Sequence, residues 1–390
     1  MNLKQWLILF CLPITQLWAS STEVKIGVLY GNTINEINAI QHKGNPKIFF
    51  DSLLFFRIDS TFNLKIVADL DSLTIFNNES KIAKCKTVKI LEDPESVTQL
   101  KHPNFKNEKY YGGQLHISSN SGFIFALNIL PLENYLPGVL EAEVGINRPP
   151  EYYKVQAIIC RTYTLSHLRR HEMEDFNLCD KEHCQAFKGY SKPGTELQKG
   201  VQKTEGIVVV DNDFMLITAA FHANCGGQTV NSEDLWNKKL DYLRSIKDTF
   251  CLHEKSASWT KEFLDDAWIQ KMHKVSKEYK HENDSILFIN DFFFTQATRK
   301  KFYDVVPNCL IPLKDMRSIL ELKSTYFSAE NRYGKIILHG RGFGHGVGLC
   351  QDGAIRMSKL NYSYKSILHF YFQNVSIVHL DKLDFYKFNE

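Results

Sequence analysis

The sequence is poor in several features that would name a function at once. Beyond its first residues it holds no apolar run approaching the roughly 18 residues that span a bilayer, so no transmembrane segment is expected after the N-terminus. It carries no excess of either charge: 47 Lys and Arg stand against 44 Asp and Glu, a net +3. That balance argues against a nucleic-acid protein, for which a concentrated basic face is expected. Internal repeats and low-complexity tracts are missing. No Gly-Lys-Ser/Thr phosphate loop occurs, and the glycines do not fit the dinucleotide fingerprint. Apolar residues are not lacking, however: at 44% of the chain they speak against overall disorder.

The N-terminus reads as an export signal. Lys4 precedes an apolar run from Trp6 to Leu12, and after Pro13 the chain reaches Leu17-Trp18-Ala19. Small or apolar residues at Leu17 and Ala19 suit cleavage after Ala19, and the run is too short for a retained membrane helix. Cys11 follows a bulky Phe10, which disfavours a lipid-anchored form. The expected location is therefore periplasmic or extracellular. Of nine cysteines, five (Cys160, Cys179, Cys184, Cys225 and Cys251) fall in the central quarter. In an exported protein such clustering means disulfides or a structural metal, and the count does not choose.

The chain divides by character into 1–19 (signal), 20–128 (β-rich) and 129–390, a mixed sheet-and-helix core with an insert near 255–310. The expected class is α+β. Val24–Leu29, Leu64–Val67 and Gly122–Ala126 read as strands between Asn, Asp, Ser and Gly, and the Phe-rich 47–58 as a buried strand. From Leu130 a turn-rich stretch is expected as far as Asn147-Arg148-Pro149-Pro150. A strong helix follows, with proline in its first turn and Val155, Ile158, Ile159, Thr162 and Leu165 as the buried stripe. Residues 206–210 and 214–221 return to strand. The stretch from 265 to 301 is helix-like, Lys335–His339 is a strand, and helices are expected from Gly353 and over 364–371.

Four segments carry chemistry. On the helix after Pro150, Lys154, Ala157 and Arg161 share a face at i, i+3 and i+7, two cations around a small residue with room for a ligand. The alternative is an ordinary solvated face. Glu143 leaves the preceding turn and is placed to lie against this helix. The second segment, His339 to Gln351, has glycine at every other position from 340 to 348. Read as extended chain, it bares one face to a second backbone or a sugar ring and puts Arg341, Phe343, His345 and Val347 on the other. A tight glycine turn against a sheet is the alternative; His345 and Gln351 favour function. Third, Cys179, His183 and Cys184 lie within six residues and can converge on one tetrahedral ion, with His171, Cys225 or His222 as a fourth ligand. A disulfide or free thiols would equally suit that spacing. Fourth, Phe221 to Thr229 reads as a strand running into two glycines, a common cleft lining that names no reaction.

Taken together these residues resemble a known family. Leu132-Glu133-Asn134-Tyr135-Leu136-Pro137-Gly138-Val139, Glu143, Glu151, Lys154, Gln156-Ala157 and Arg161-Thr162-Tyr163 look like the SpoIID/LytB family, the stage II sporulation protein D group also called amidase enhancers. Cys179–Gln185, His222–Gly227, Trp236 with Asp241-Tyr242-Leu243-Arg244, Leu322–Thr325 with Phe327, and Gly340–Gln351 are similar to further blocks in the same order, so the likeness runs from about Tyr110 to Ile377. It departs at Val144, where methionine is common, and at Asp352, where the family has tryptophan.

The resemblance implies peptidoglycan as substrate. Some members are lytic transglycosylases acting on peptide-stripped glycan strands, and others stimulate a cell-wall amidase. It implies Glu143 as catalytic acid/base, with activity at Lys154 and Arg161. Gln156, His222, Arg341, His345 and Gln351 follow as substrate contacts. It also implies zinc at Cys179, His183 and Cys184, with His171 fourth. No cofactor is expected for the chemistry itself, so the zinc would be structural. A lytic transglycosylase works with one carboxyl, which protonates the leaving oxygen and then takes the proton of the sugar's C6 hydroxyl. That dual role needs a pKa near working pH. Burial would raise it and cations against Glu143 would lower it, so Lys154 and Arg161 are read as positioning substrate and stabilising charge. Glu141 is the second carboxyl a hydrolase would use, provided the segment is extended and not helical.

Overall fold

The structure, a computed structural model, describes residues 22–57, 62–91, 96–236, 238–278, 293–304 and 310–383, with the side chains of 54–57 and 275–278 excepted. The signal segment, Cys11 and Cys309 lie outside them. The fold is mixed α+β. Its strands and its eight helices are α1 (Leu132–Val144), α2 (Pro150–Ser166), α3 (Glu196–Gln202), α4 (Ser232–Leu235), α5 (Asp265–Glu278), α6 (Leu313–Ile319), α7 (Gln351–Lys359) and α8 (Tyr364–Tyr371), counted among the described residues.

The β-rich part forms two antiparallel sheets. One places Glu23–Val28 beside Phe123–Pro131, then Gln114–Asn120, Thr87–Leu91 and the hairpin Lys47–Phe50/Leu53–Arg57. Alternation along these strands puts Val24, Ile26, Ile48, Val88, Ile90, Leu115 and Ile117 fully inside. The Phe-rich stretch is thus a hairpin instead of a single strand, turning at Asp51, whose φ is positive. The second sheet runs through Val97–Lys101, Glu36–Lys43, Asn63–Asp69 and Ser72–Asn77. A short parallel strand, Leu178–Cys179, adds to the outer side of Glu23–Val28 and so ties residues far along the chain to its first strand. One hydrophobic core joins the inner faces of these sheets to α1, α2 and α8.

The stretch from Leu132 to Val144 is helical, which corrects the expectation of turns. Pro137 and Gly138 read as breakers, yet both are buried in α1. A proline in a helix forfeits one hydrogen bond; here it lies in a buried stretch with Tyr135, Leu136, Val139 and Leu140, all in the core. Gly138 is needed for space: a Cβ there would stand 2.1 Å from the carbonyl oxygen of Gly189. The 185–190 loop therefore lies directly on α1, and the Lys188 N–H donates to Gly138 O at 3.3 Å.

Helix α2 begins as expected, with Pro150 in the first turn and Glu151 beside the helix dipole. The expected stripe is buried, and so are Tyr152, Tyr153, Gln156, Ala157, Cys160, Arg161 and Thr164. A helix buried on nearly every side belongs to the centre of a domain. Residues 214–221 are mostly irregular, with only Phe221–His222 in a strand. A second, smaller core holds Trp259, Phe263, Trp268, Met316, Phe327 and Leu338 around the sheet of Ser258–Leu264, Lys335–Arg341, Phe327–Arg332 and Phe293–Phe294. No helix among the described residues is long and apolar enough to cross a membrane.

Candidate functional site

Glu143 occupies the last turn of α1, half-buried, with Gly145 ending the helix at positive φ. One carboxylate oxygen accepts the Ala186 N–H at 2.7 Å. The other has no hydrogen-bond partner among the described residues. Burial raises the pKa of Glu143; the Ala186 N–H opposes this and the nearby Glu182 charge adds to it, leaving it above the ordinary carboxylate value. Tyr163, on α2, is pushed up to about 12, chiefly by burial, with the Glu143 charge among the smaller causes. The Tyr163 hydroxyl accepts a hydrogen bond from Arg170 at 3.0 Å, and its ring stacks on His167. Glu182, Tyr163 and Arg170 were not singled out from the sequence. Arg170 lay in plain view in the Arg169-Arg170-His171 run, but only the fold brings it next to Tyr163.

Neither expected cation touches Glu143. Arg161 is fully buried, and its guanidinium grips Glu133 through two bonds, Nε to Oε1 at 2.7 Å and Nη2 to Oε2 at 2.6 Å. It also donates to the carbonyls of Ile207 and Val201. Lys154 pairs with Glu151, whose other oxygen accepts the Tyr364 N–H at the start of α8. These bonds outweigh burial and hold the Glu151 carboxyl below its ordinary value. With Ala157 and Arg161 inside the core, the expected ligand-accepting face of α2 does not exist. The reason is that α2 packs on α1, α3 and α8 together, which leaves only Pro150, Glu151, Lys154, Tyr163 and Ser166 partly or fully exposed. Gln156 is buried as well, with its amide near Cys160 Sγ at 3.5 Å and its oxygen unpartnered.

Since α1 is a helix, Glu141 and Glu143 are two positions apart and do not share a face. Glu141 is thereby set aside as partner carboxyl; Glu182 is the carboxylate whose charge acts on Glu143.

His171, Cys179, His183 and Cys184 come together, with their ligand atoms all within 4.8 Å of one another. Cys184 Sγ stands 3.3 Å from His171 Nε2 and 3.5 Å from His183 Nδ1. Glu174 contacts His171 Nδ1 at 2.6 Å, an outer carboxylate that orients Nε2 toward the cluster. Asp180 anchors the same loop by accepting the Leu29 and Tyr30 N–H groups. Two sulfurs and two imidazoles in this arrangement suit a tetrahedral ion. Cys225 and His222, the other candidates for a fourth ligand, lie elsewhere. Ala186, which holds Glu143, follows Cys184 by two residues, so cluster and carboxyl share one loop.

The glycine segment is not extended beyond Arg341. Gly342, Gly344, Gly346 and Gly348 all have positive φ, and their bare sides face the 220–230 segment of the same chain. At Gly348 a Cβ would meet the Ala220 carbonyl oxygen at 2.2 Å. Close approach of another backbone is thus what the alternation serves. His345 has both ring nitrogens engaged, Nδ1 accepting the Val347 N–H and Nε2 against Phe221 O at 2.8 Å. Burial drives its pKa down to about 4. His222 is fully enclosed beside it, held neutral by burial first and by the His345 and Arg299 charges second. Its Nε2 and the Gln351 amide nitrogen are buried without partners. Arg341 lies on the Tyr326 ring, 3.6 Å from its centre, and lines a groove of about 480 Å³ with Trp259, Gln296 and His339. A larger groove of about 680 Å³ runs past Glu133, Asn134, Gly113, Tyr190 and Gln202, and Glu143 lies outside it. The structure therefore separates the expected site residues into three neighbourhoods: Glu143 with the Cys/His cluster, Lys154 and Arg161 inside α2, and the glycine segment with His222.

Comparison with known proteins meets this geometry at its centre. Residues 120–210, which include α1, α2 and the Cys/His loop, match the family model described as stage II sporulation protein. An uncharacterised protein of Brachyspira hyodysenteriae is 29% identical over 285 residues, covering 71% of this chain and 74% of that protein. The stage II sporulation protein D of Bacillus subtilis is 27% identical, over 65% of this chain and 76% of its own length. The amidase enhancer of Bacillus subtilis is 26% identical over 62% of this chain, which spans only 40% of that protein. The family model lies on the segment that holds Glu143, and these relatives cover most of the chain, so the protein is similar to the SpoIID family there and along much of its length.

Proposed function

We propose that this chain is an exported lytic transglycosylase that cuts peptide-stripped peptidoglycan strands, with Glu143 as its single acid/base. The family-model match over residues 120–210 and the amidase-enhancer relative support the coarser part, a cell-wall-related role. The finer part rests on one observation: a half-buried carboxyl with a raised pKa, one oxygen fixed by the Ala186 N–H and the other without a partner among the described residues. A raised pKa keeps a share of the group protonated, as a donor to a leaving oxygen requires.

The protonated Glu143 donates to the glycosidic oxygen as the bond to the anomeric carbon breaks. The carboxylate then accepts the proton of the same sugar's C6 hydroxyl, whose oxygen closes onto that carbon as an anhydro ring. No water is consumed. Ala186 holds one oxygen still, leaving the other for both transfers. We assign glycan contact to the Arg170–Tyr163 pair in place of Lys154 and Arg161, whose charges are engaged by Glu151 and Glu133. His171, Cys179, His183 and Cys184 would hold zinc, which supplies a closed structural anchor for the loop carrying Ala186.

The test offers purified protein peptide-free glycan strands and reads the products by mass spectrometry. Anhydro-ended sugars, lost in Glu143→Gln, are expected. Water-ended products would replace the transglycosylase with a hydrolase and bring Glu182 forward. Binding without cleavage, with stimulation of an N-acetylmuramoyl-L-alanine amidase, would establish the enhancer role that the relative's name carries.

A further inference from the structure

A second group of metal-binding side chains lies apart from the first. Cys225, Asp248, Cys251 and Cys350 are all fully buried, and their ligand atoms lie within 4.8 Å of one another. Cys225 Sγ is 3.4 Å from Cys251 Sγ and 3.3 Å from Asp248 Oδ2. We propose that these four residues form a second, closed structural zinc site, independent of the cluster beside Glu143.

The spacing is close to what a tetrahedral ion imposes. Zinc–sulfur bonds of about 2.3 Å put two sulfurs about 3.8 Å apart, and the Cys225–Cys251 separation of 3.4 Å lies close to that. The donor set, three thiolates and a carboxylate, suits zinc among the common divalent ions. Backbone donors converge on one sulfur as they do where thiolate charge must be stabilised. The Cys225 and Gly353 N–H groups donate to Cys350 Sγ at 3.3 and 3.4 Å. Cys350 also caps the N-terminus of α7, where partial positive charge favours an anion. Tyr371 donates to Asp248 Oδ2 at 2.9 Å, the outer bond that orients a ligating carboxylate. A buried cation is near: Arg299 donates to the Cys225 carbonyl at 2.7 Å. The close packing is specific too, since a Cβ on Gly353 would meet Asp248 Oδ2 at 2.5 Å.

A disulfide accounts for this group less well. Three sulfurs cannot pair completely, and none of the seven described cysteines is bonded to another. The ligands also come from three distant segments, the 225 turn, the 248–251 loop and the start of α7. A metal there would clip the glycine segment to the strand Phe221–His222. This reading is independent of whether Glu143 cleaves glycan.

The experiment uses the full mature chain purified without chelator. Metal content is measured by plasma mass spectrometry, and thiol alkylation is mapped peptide by peptide in mild denaturant, with and without a zinc chelator. Cys225, Cys251 and Cys350 are expected to react slowly until chelator is added, with two zinc ions per chain when both clusters are filled. Cys350→Ser should release one equivalent and unmask Cys225 and Cys251, while Cys179 and Cys184 stay protected. Alkylation of Cys225, Cys251 and Cys350 that ignores the chelator, or a Cys225–Cys251 disulfide in the native protein, would overturn the site. The wild-type comparison decides the matter even where Cys350→Ser does not fold, and its site-by-site readout keeps failure here distinct from failure at the first cluster.

Discussion

Replacing Arg161 by methionine separates the two readings of this residue, substrate contact and internal brace. The side chain is fully buried and makes four hydrogen bonds, two to Glu133 and one each to Val201 O and Ile207 O. Breaking a buried pair from one side costs about 3–5 kcal/mol. Glu133 keeps a quarter of its side chain exposed, so water recovers part of the loss, while two buried carbonyls each lose a donor worth about 1 kcal/mol. We therefore expect Arg161→Met to lower the unfolding free energy by about 2–4 kcal/mol. Urea unfolding followed by near-ultraviolet circular dichroism reads this directly. The double variant with Glu133→Gln should lose less than the sum of the singles, by about 1–3 kcal/mol. Wild-type stability in Arg161→Met, combined with loss of glycan cleavage, would refute the brace and return Arg161 to the substrate.

Other expectations concern the carboxyl, its loop and the glycines. Because Glu143 has a raised pKa, the folded protein holds that proton more tightly than the unfolded chain, so its contribution to stability is present at low pH and lost as pH rises through the folded value. Glu143→Gln should thus be at least as stable as wild type at pH 7 in the same urea titration, and less favoured relative to it as pH falls. Cleavage should decline on the alkaline side through the same group, since the acid form is the donor; the Ala186 N–H bonds it and the Glu182 charge raises it, so Glu182→Gln should move that limb to lower pH. Cys184→Ser, by freeing the loop that carries Ala186, should reduce turnover while leaving the Cys225 cluster protected from alkylation. Gly348→Ala forces a Cβ against Ala220 O at positive φ and should cost about 1–3 kcal/mol, measured by the midpoint shift in urea.

What could be read without coordinates follows from how local each signal is. Strands such as Glu23–Val28 and Asn63–Asp69 show in alternation, and α2 and α8 in apolar spacing with proline or serine at the start. Helix α1 was hidden because Pro137 and Gly138 are local breakers, whereas their reasons are tertiary: one is buried in the core and the other admits the Gly189 carbonyl. The Cys/His cluster was legible because three of its ligands lie within six residues, and His171 just before them. The Cys225 cluster was not, since its members are spread over more than a hundred residues and converge only through the parallel pairing of Phe221–His222 with Leu349–Cys350. The glycine segment was half-legible. Its alternation indicated close approach, but not that its own chain makes the approach.

The same distinction bears on what a motif match means at this site. Glu133, Arg161, Gly138 and Gly348 all fall in family-like blocks, and each has a sufficient packing reason: an internal ion pair for the first two, contact with a carbonyl for the glycines. Their presence therefore supports the fold and leaves the reaction open. Glu143 is different. Its carboxyl is half-buried with a raised pKa and accepts the Ala186 N–H, so burial disfavours its ionised form. A carboxyl held where burial disfavours its charge is the residue on which the proposed chemistry rests. That makes Glu143→Gln the variant in which loss of function without loss of fold carries the most information.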